Sequence, residues 1–241
     1  MAQVLGKHSS FIAKNFKKHA LIYILAVLFF ILGAFASYVL AYQIYGGRNF
    51  IANIVLFALY LAALFIIARA LGFLFKTDSF MLGGRGEKII ARELSKLPGD
   101  YLVLRNVQIG RRRADIDFIV FGPKGLITVE VKSHGGQITF NNFELYRNGW
   151  KISKRNVLLQ AKNEAQMLTD YLRRYGFNGQ ITPVIAFSNF YARMNFGYKP
   201  QAGVYVVQKS WLNNLILSLP EISYNIKKPV LEQALRRLVK N

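Results

Sequence analysis

Two acids precede a tight turn and a Glu-x-Lys follows it in the stretch DIDFIVFGPKGLITVEVKS, Asp115 to Ser133. Carboxylates and an ammonium gathered at one place could hold a divalent cation or a carboxyl of raised pKa, the makings of a catalytic site. Strand side chains alternate faces. Ile127, Val129 and Val131 share one face, so Thr128, Glu130 and Lys132 share the other. On the preceding strand Ile116, Phe118 and Val120 are apolar, with Asp115 and Asp117 opposite them. Reflection through the GPKG turn sets Val120 opposite Ile127, Phe118 opposite Val129, Asp117 opposite Glu130 and Asp115 opposite Lys132. Opposed carboxylates with Cβ atoms about 5 Å apart repel, so the Asp117–Glu130 pair calls for a cation or a shifted pKa. The Asp115–Lys132 pair reads as a cross-strand ion pair. A bulge at Gly125 would move this register by one residue. Taken alone, these four charges read more simply as the wet face of a hairpin.

Two further residues are oddly placed. Glu87 opens the helical pattern GEKIIARELSKL on the stripe of Ile90, Ala91, Leu94 and Leu97. It is either a first-turn acid favoured by the helix dipole or an acid aimed inward. Gln160 borders the apolar stripe of a second helix near its start, where a plain surface amide is the simpler reading. Other chemistries are excluded. The chain has no cysteine and three histidines, of which only His134 lies beyond residue 19. Thiolate and His-rich metal sites are therefore absent, and any metal must sit among oxygen ligands, which favours Mg²⁺ or Mn²⁺. GGRGEK, Gly83 to Lys88, lacks the spacing of a phosphate loop and follows no strand. No Ser-His-Asp set is available.

The elements that must position these residues follow from pattern. A helix is expected over 86–97 and a strand over 101–109. The hairpin strands cover 115–121 and 126–132, and a further pair 137–140 and 143–147, with turns at Asn141-Asn142 and Asn148-Gly149. A helix runs over about 156–175, with Val157, Ala161, Ala165, Leu168 and Leu172 on one stripe. Strands at 182–187 and 203–208 and helices near 210–219 and 229–240 complete an α/β sandwich of about 160 residues, the size of one domain.

The first third of the chain is different. Of 241 residues 53% are hydrophobic and the mean hydropathy is +0.22, too apolar for an ordinary soluble domain. Residues 1–76 contain no acid. Leu21 to Tyr45 gives 25 residues without a charge, and Phe50 to Ala68 gives 19 more before Arg69. About 20 apolar residues cross a bilayer core, so a transmembrane helical hairpin is expected over 20–76, with spans of about 21–45 and 50–75 joined by GGRN. A cleavable signal peptide fits poorly, because the run is too long and a second follows it. Arg69 reads as a snorkelling side chain. Residues 1–19 read as a basic tail on anionic lipid. Lysines before the first span and Lys76 after the second place both ends, and the domain beyond, in the cytoplasm.

Residues 77–241 carry 25 basic and 12 acidic residues, a net charge of +13. The bases cluster at Arg111, Arg112 and Arg113, at Lys151, Lys154 and Arg155, and at Arg173 and Arg174, with Tyr146, Trp150, Tyr171 and Tyr175 among them. Such a surface suits a polyanion, either nucleic acid or an anionic membrane.

The order GRGE, ADIDFIVFGPKGLITVEVKSHGGQI, LLQAKNEAQML resembles the NERD (nuclease-related) domain of the PD-(D/E)xK nuclease superfamily, over about 83–190. The acid strand, Gly-Pro-x-Gly turn, Glu-x-Lys and following Gly occur together and in order. The resemblance implies a restriction-endonuclease-like core, a mixed central sheet flanked by helices, behind the hairpin, with 77–195 as the NERD domain and 196–241 completing it. It implies that Asp117 is the strand acid, Glu130 and Lys132 the Glu-x-Lys, Glu87 the helix acid and Gln160 the helix glutamine. Family members often carry His after the strand acid, where this chain has Phe118. The implied chemistry is hydrolysis of nucleic acid, DNA ahead of RNA, with Mg²⁺ or Mn²⁺ held by Asp117, Glu130 and Glu87, and with the Arg and Lys clusters gripping the phosphates. Two other functions stay open: a catalytically inactive nucleic-acid tether, and a membrane scaffold binding partner spans through Asn53 and Arg69.

Overall fold

The computed structural model describes residues 1–6, scattered positions between 24 and 69, 84–110, 115–222, 224 and 226–239. The chain divides into two compact units, Met1–Ser9 with Leu82–Asn241, and Ser10–Met81. In the second unit the described positions are helical, and Leu32, Phe35 and Phe65 among them are exposed. Among the described residues no helix is long and apolar enough to cross a membrane. Of the expected spans, 15 of the 25 positions in 21–45 and 10 of the 26 in 50–75 are among those residues, and most of the 1–19 tail lies outside them.

The first unit is a three-layer α/β/α sandwich. Its elements are β1 (Gln3–Leu5), a helix α1 over residues 84–94, β2 (Leu102–Gln108), β3 (Asp115–Gly122), β4 (Gly125–Lys132), β5 (Gly136–Asn141), β6 (Glu144–Arg147) and β7 (Trp150–Lys151), followed by α2 (Val157–Arg173), β8 (Ile181–Phe187), β9 (Ala192–Arg193), β10 (Tyr205–Gln208), α3 (Lys209–Ser218) and α4 (Lys228–Val239). Six strands form a mixed sheet in the order β1-β2-β3-β4-β8-β10, and four form a smaller one, β7-β6-β5-β9. β4 lies between antiparallel β3 and parallel β8. A strand covered on both faces needs a nearly continuous apolar run, and LITVEV supplies it, with every residue from Gly125 to Glu130 buried.

One face packs Ile90 and Leu94 of α1 and Leu212 and Leu215 of α3 over Phe118, Val120, Ile127 and Val129. The other packs Leu168 and Leu172 of α2 and Leu231 and Leu235 of α4 over Ile116, Ile119 and Leu126. The first turn of α2 closes a third cluster with Ile138, Leu145, Ile185 and Phe187.

The turn register is as expected at its core. Val120 pairs with Ile127 and Phe118 with Val129, and Gly125, at φ +93°, pairs with Gly122 without a shift. The ladder stops there, short of Asp117–Glu130 and Asp115–Lys132. The expected Asp115–Lys132 ion pair is not made: Asp115 is exposed, and Lys132 turns to Glu130 on its own strand. The first residues also differ from a plain tail. Gln3–Leu5 pairs in parallel with Leu102–Leu104 and extends the main sheet, with Val4 packed on the core. The strands β1 and β9, three and two residues long, are too short to leave a periodic signal.

Candidate active site

Glu130 sits on the central strand with 5% of its surface exposed. A buried carboxylate must be paired and hydrogen-bonded. Its Oε1 lies 2.6 Å from the Lys132 Nζ and accepts Gln160 Nε2 at 2.8 Å. Lys132 also donates to Gln160 Oε1 at 3.3 Å. The Glu-x-Lys spacing puts both charges on one face of β4, and Gln160 bridges them from above.

Gln160 is placed by the start of α2. Asn156 caps that helix, its Oδ1 accepting from the Leu158 and Leu159 amides at 2.9 and 3.2 Å. The Asn156 Nδ2 donates to the Phe143 carbonyl at 2.8 Å. One side chain therefore fastens the helix to the β5–β6 turn, and Gln160 follows one turn later over β4.

Asp117 approaches from β3. Its Oδ2 accepts the Val131 amide at 2.8 Å, just past the end of the ladder. Burial, and next the Glu130 carboxylate, hold the Asp117 carboxyl well above its usual range, although the Val131 hydrogen bond opposes them. Asp117 and Glu130 are thus close neighbours even though no ladder rung joins them.

Glu87 comes from α1, among its first described residues. Its Oε2 is buried without a hydrogen-bond partner. Burial raises its pKa, the Arg105 guanidinium and an Asn106 hydrogen bond pull the other way, and Glu130 and Asp115 add smaller upward pushes. α1 can come this close because Gly86 has no side chain. A Cβ there would lie 2.7 Å from Ser188 Oγ and 3.4 Å from Ser133 and Val131.

Glu164 belongs to the same cluster and carries no motif. It is 3% exposed, its Oε1 accepts Gln160 Nε2 at 3.0 Å, and its Oε2 has no partner. Burial, and after it Glu130, push its pKa up to about 9. One signal in the sequence could have found it: an acid on the buried stripe of α2, one turn after Gln160, between Ala161 and Ala165.

The structure thus brings Asp117, Glu130, Lys132 and Gln160 together, with Glu87 close enough to feel Glu130. As metal ligands, Asp117, Glu130 and Glu87 do not form a ready cage: among the described residues no three acidic or imidazole groups stand together as a metal site. The donor chemistry still fits a hard cation. All donors are carboxylate oxygens, and the unpartnered Glu87 Oε2 is available to complete a set.

Among the described residues the predicted basic clusters do not make one patch. Lys154 and Arg155 are exposed just before α2, while Lys151 is tied to Glu144 at 2.6 Å. Arg173, bonded to Asp170 at 2.9 Å, and Arg174 lie at the other end of the same 17-residue helix, roughly 25 Å away. Arg111, Arg112 and Arg113 lie outside the described residues.

Part of the chain is similar to known proteins. Residues 82–188 match the nuclease-related domain family, NERD. That interval contains Glu87, Asp117, Glu130, Lys132, Gln160 and Glu164. A solved structure, that of SfsA from Pyrococcus furiosus in complex with Ca²⁺, is similar at 19% identity and a TM-score of 0.26. The similarity covers 53% of this chain and 55% of that one, so the chain spans about half of the structure it matches. No curated protein matches the chain.

Proposed function

We propose that this chain is a membrane-anchored, metal-dependent nuclease that hydrolyses phosphodiester bonds of nucleic acid, DNA ahead of RNA, through its nuclease-related domain. The observation that carries the reading is the bridged network of Glu130, Lys132 and Gln160 beside Asp117. A buried carboxylate with a half-buried ammonium beside it on a central strand, bridged by a half-buried helix amide, costs folding energy that an apolar core would not. Such a cluster needs a chemical reason.

Asp117 and Glu130 would hold Mg²⁺ or Mn²⁺, with Glu87 completing the set. The bound cation would supply Lewis-acid stabilisation of phosphoryl charge and a more acidic water. The chain's own groups do the rest. Lys132 presents a positive charge where the phosphate gains negative charge. Gln160 holds the Lys132 ammonium and the Glu130 carboxylate in one fixed relation. Lys154 and Arg155 sit at the same end of α2 as Gln160 and would take flanking phosphates, giving salt-dependent binding with little sequence preference.

The membrane anchor rests on the two long uncharged runs, supported by the exposed apolar side chains at Leu32, Phe35 and Phe65. Strand β1 adds a topological argument. Gln3–Leu5 pairs with Leu102–Leu104 in one sheet, which supports a chain that returns to the side it left, by an even number of crossings. The lysine flanks favour the cytoplasm for both ends.

The test uses the full-length chain in detergent, because a fragment starting at 77 lacks β1. DNA or RNA should be cut with Mg²⁺ or Mn²⁺ and not with EDTA. Lys132→Ala and Asp117→Ala should abolish cutting while the thermal transition persists. Activity that survives both substitutions removes the proposal. A second reading, a tether that binds nucleic acid without cutting it, is favoured by the close Lys132–Glu130 contact and the lack of a three-ligand cluster among the described residues. Gel shifts without cleavage under any divalent metal would support it.

A further inference from the structure

The carboxyl ends of β4, β8 and β10 carry a feature that the catalytic groups do not use. Phe190 and Tyr191 are 78% and 73% exposed, and they adjoin each other edge to face with ring centroids 5.8 Å apart. Lys209, the first residue of α3, sets its Nζ 6.0 Å from the Phe190 ring centroid. Two large aromatic rings facing water forgo burial, so their position needs an explanation.

The rings are not exposed for want of a built turn. The Asn189 Oδ1 accepts the Tyr191 amide at 2.9 Å, while its Nδ2 donates to the Ser133 carbonyl at 3.2 Å. The Tyr191 carbonyl accepts the Gly136 amide at 2.9 Å, and the Ser188 amide donates to the Lys132 carbonyl at 2.9 Å. The Gln208 side chain bonds to the Ala192 carbonyl and ties the base of α3, and so Lys209, to the same turn. The turn is fastened to Lys132, the residue proposed to face the scissile phosphate, and to Ser133 and Gly136 just after it. Between Asp170 and Glu221 the chain has no acidic residue, and Arg193 follows the rings by two residues while Lys209 lies over one of them.

We propose that Phe190 and Tyr191, with Lys209, form a stacking platform for unpaired bases of a single-stranded nucleic acid entering the site. Aromatic side chains stack on base faces irrespective of sequence, and a neighbouring cation attracts the backbone. Duplex bases present their edges and not their faces, so two adjoining exposed rings suit a single strand or a frayed end. The inference deepens the nuclease reading and rests on it for the substrate class.

The experiment measures binding and cutting separately. Fluorescence anisotropy of a labelled DNA oligonucleotide, single-stranded or duplex, is read on the full-length chain in detergent with EDTA, so that no cleavage occurs. Phe190→Ala and Tyr191→Ala should each weaken single-strand binding about fivefold or more, with duplex binding little changed and the melting temperature kept. Phe190→Trp should bind as well as the parent. In vesicles of phosphatidylcholine and phosphatidylglycerol, the emission gained by Phe190→Trp over the parent should be quenched by the oligonucleotide. Unchanged affinity in both alanine variants overturns the platform, as does equal loss on duplex and single strand. Quenching by brominated lipid with no response to oligonucleotide also overturns it and assigns the rings to the membrane surface. Ring-dependent binding by a chain that never cuts supports the platform and defeats only the nuclease reading.

Discussion

The Asp117 carboxylate accepts the Val131 backbone amide at 2.8 Å at the point where β3 and β4 part. A side chain thus replaces the missing ladder rung, and it holds an acid against the strand that carries Glu130. Burial and the Glu130 charge raise the Asp117 pKa well above its usual range. Cation binding at this carboxylate must therefore displace a proton. Mn²⁺ affinity should fall as pH is lowered, and calorimetry in buffers of different ionisation enthalpy should detect proton release. In Asp117→Asn the proton release should shrink and the affinity drop. Uptake of Mn²⁺ by that variant with unaltered affinity and proton release would place the cation elsewhere.

Gln160 invites a second test. Its amide bonds both Glu130 and Lys132, and Glu164 anchors its Nε2. Gln160→Leu keeps the bulk and removes all three bonds. By analogy with groups that orient metal ligands, cleavage should slow about 10- to 100-fold. The loss should appear in kcat, with KM little moved, because the amide acts through Lys132 and Glu130. Single-turnover kinetics separate the two. A loss confined to KM would make Gln160 a substrate contact instead.

Much of this site was legible in the sequence, and the reasons are local. Alternation within β3 and β4 put Glu130 and Lys132 on one face, and the GPKG turn set the register as far as Phe118–Val129. What alternation cannot show is where two strands separate. The Asp115–Lys132 ion pair therefore failed, and Lys132 turned to Glu130 on its own strand. Glu164 escaped because its neighbours Ala161, Ala165 and Leu168 read as an ordinary core stripe, in which one acid looks like noise. Strand β1 escaped for a different reason: its partner β2 lies some hundred residues away, and no periodicity spans that gap.

Glu164 gives the third prediction. An ordinary glutamic acid has a pKa near 4.5, and in the fold this one is pushed up to about 9. The folded state thus keeps a proton that the unfolded chain releases. The associated stability is complete below pH 4.5 and is lost as pH rises toward 9, at up to about 1.4 kcal/mol per pH unit. The raised pKa of Asp117 acts in the same sense. The metal-free protein should melt at a lower temperature at about pH 9 than at about pH 6, and Glu164→Gln should flatten that slope. A parent protein whose melting temperature rises between those values would contradict the buried neutral acid.

Gly86 gives the last prediction, and it links packing to the site. Its missing side chain lets α1 rest against Ser188, Ser133 and Val131 and brings Glu87 toward the carboxylates. In Gly86→Ala the new methyl would sit 2.7 Å from Ser188 Oγ, closer than real contacts allow. Ser188 is buried, and its amide bonds the Lys132 carbonyl, so it cannot retreat freely. Overpacking of this kind costs about 1–3 kcal/mol. The greater effect should be on activity, because the helix must shift away from Ser188 and carry Glu87 with it. Ser188→Ala removes the clashing oxygen and gives up only a weak 3.5 Å bond to the Lys132 carbonyl. The double variant Gly86→Ala/Ser188→Ala should therefore recover most of the stability and cleavage lost in Gly86→Ala. A double-mutant cycle from thermal melts and single-turnover rates measures this coupling. Strictly additive losses would show that Gly86 serves the backbone of α1 alone and not its approach to the site.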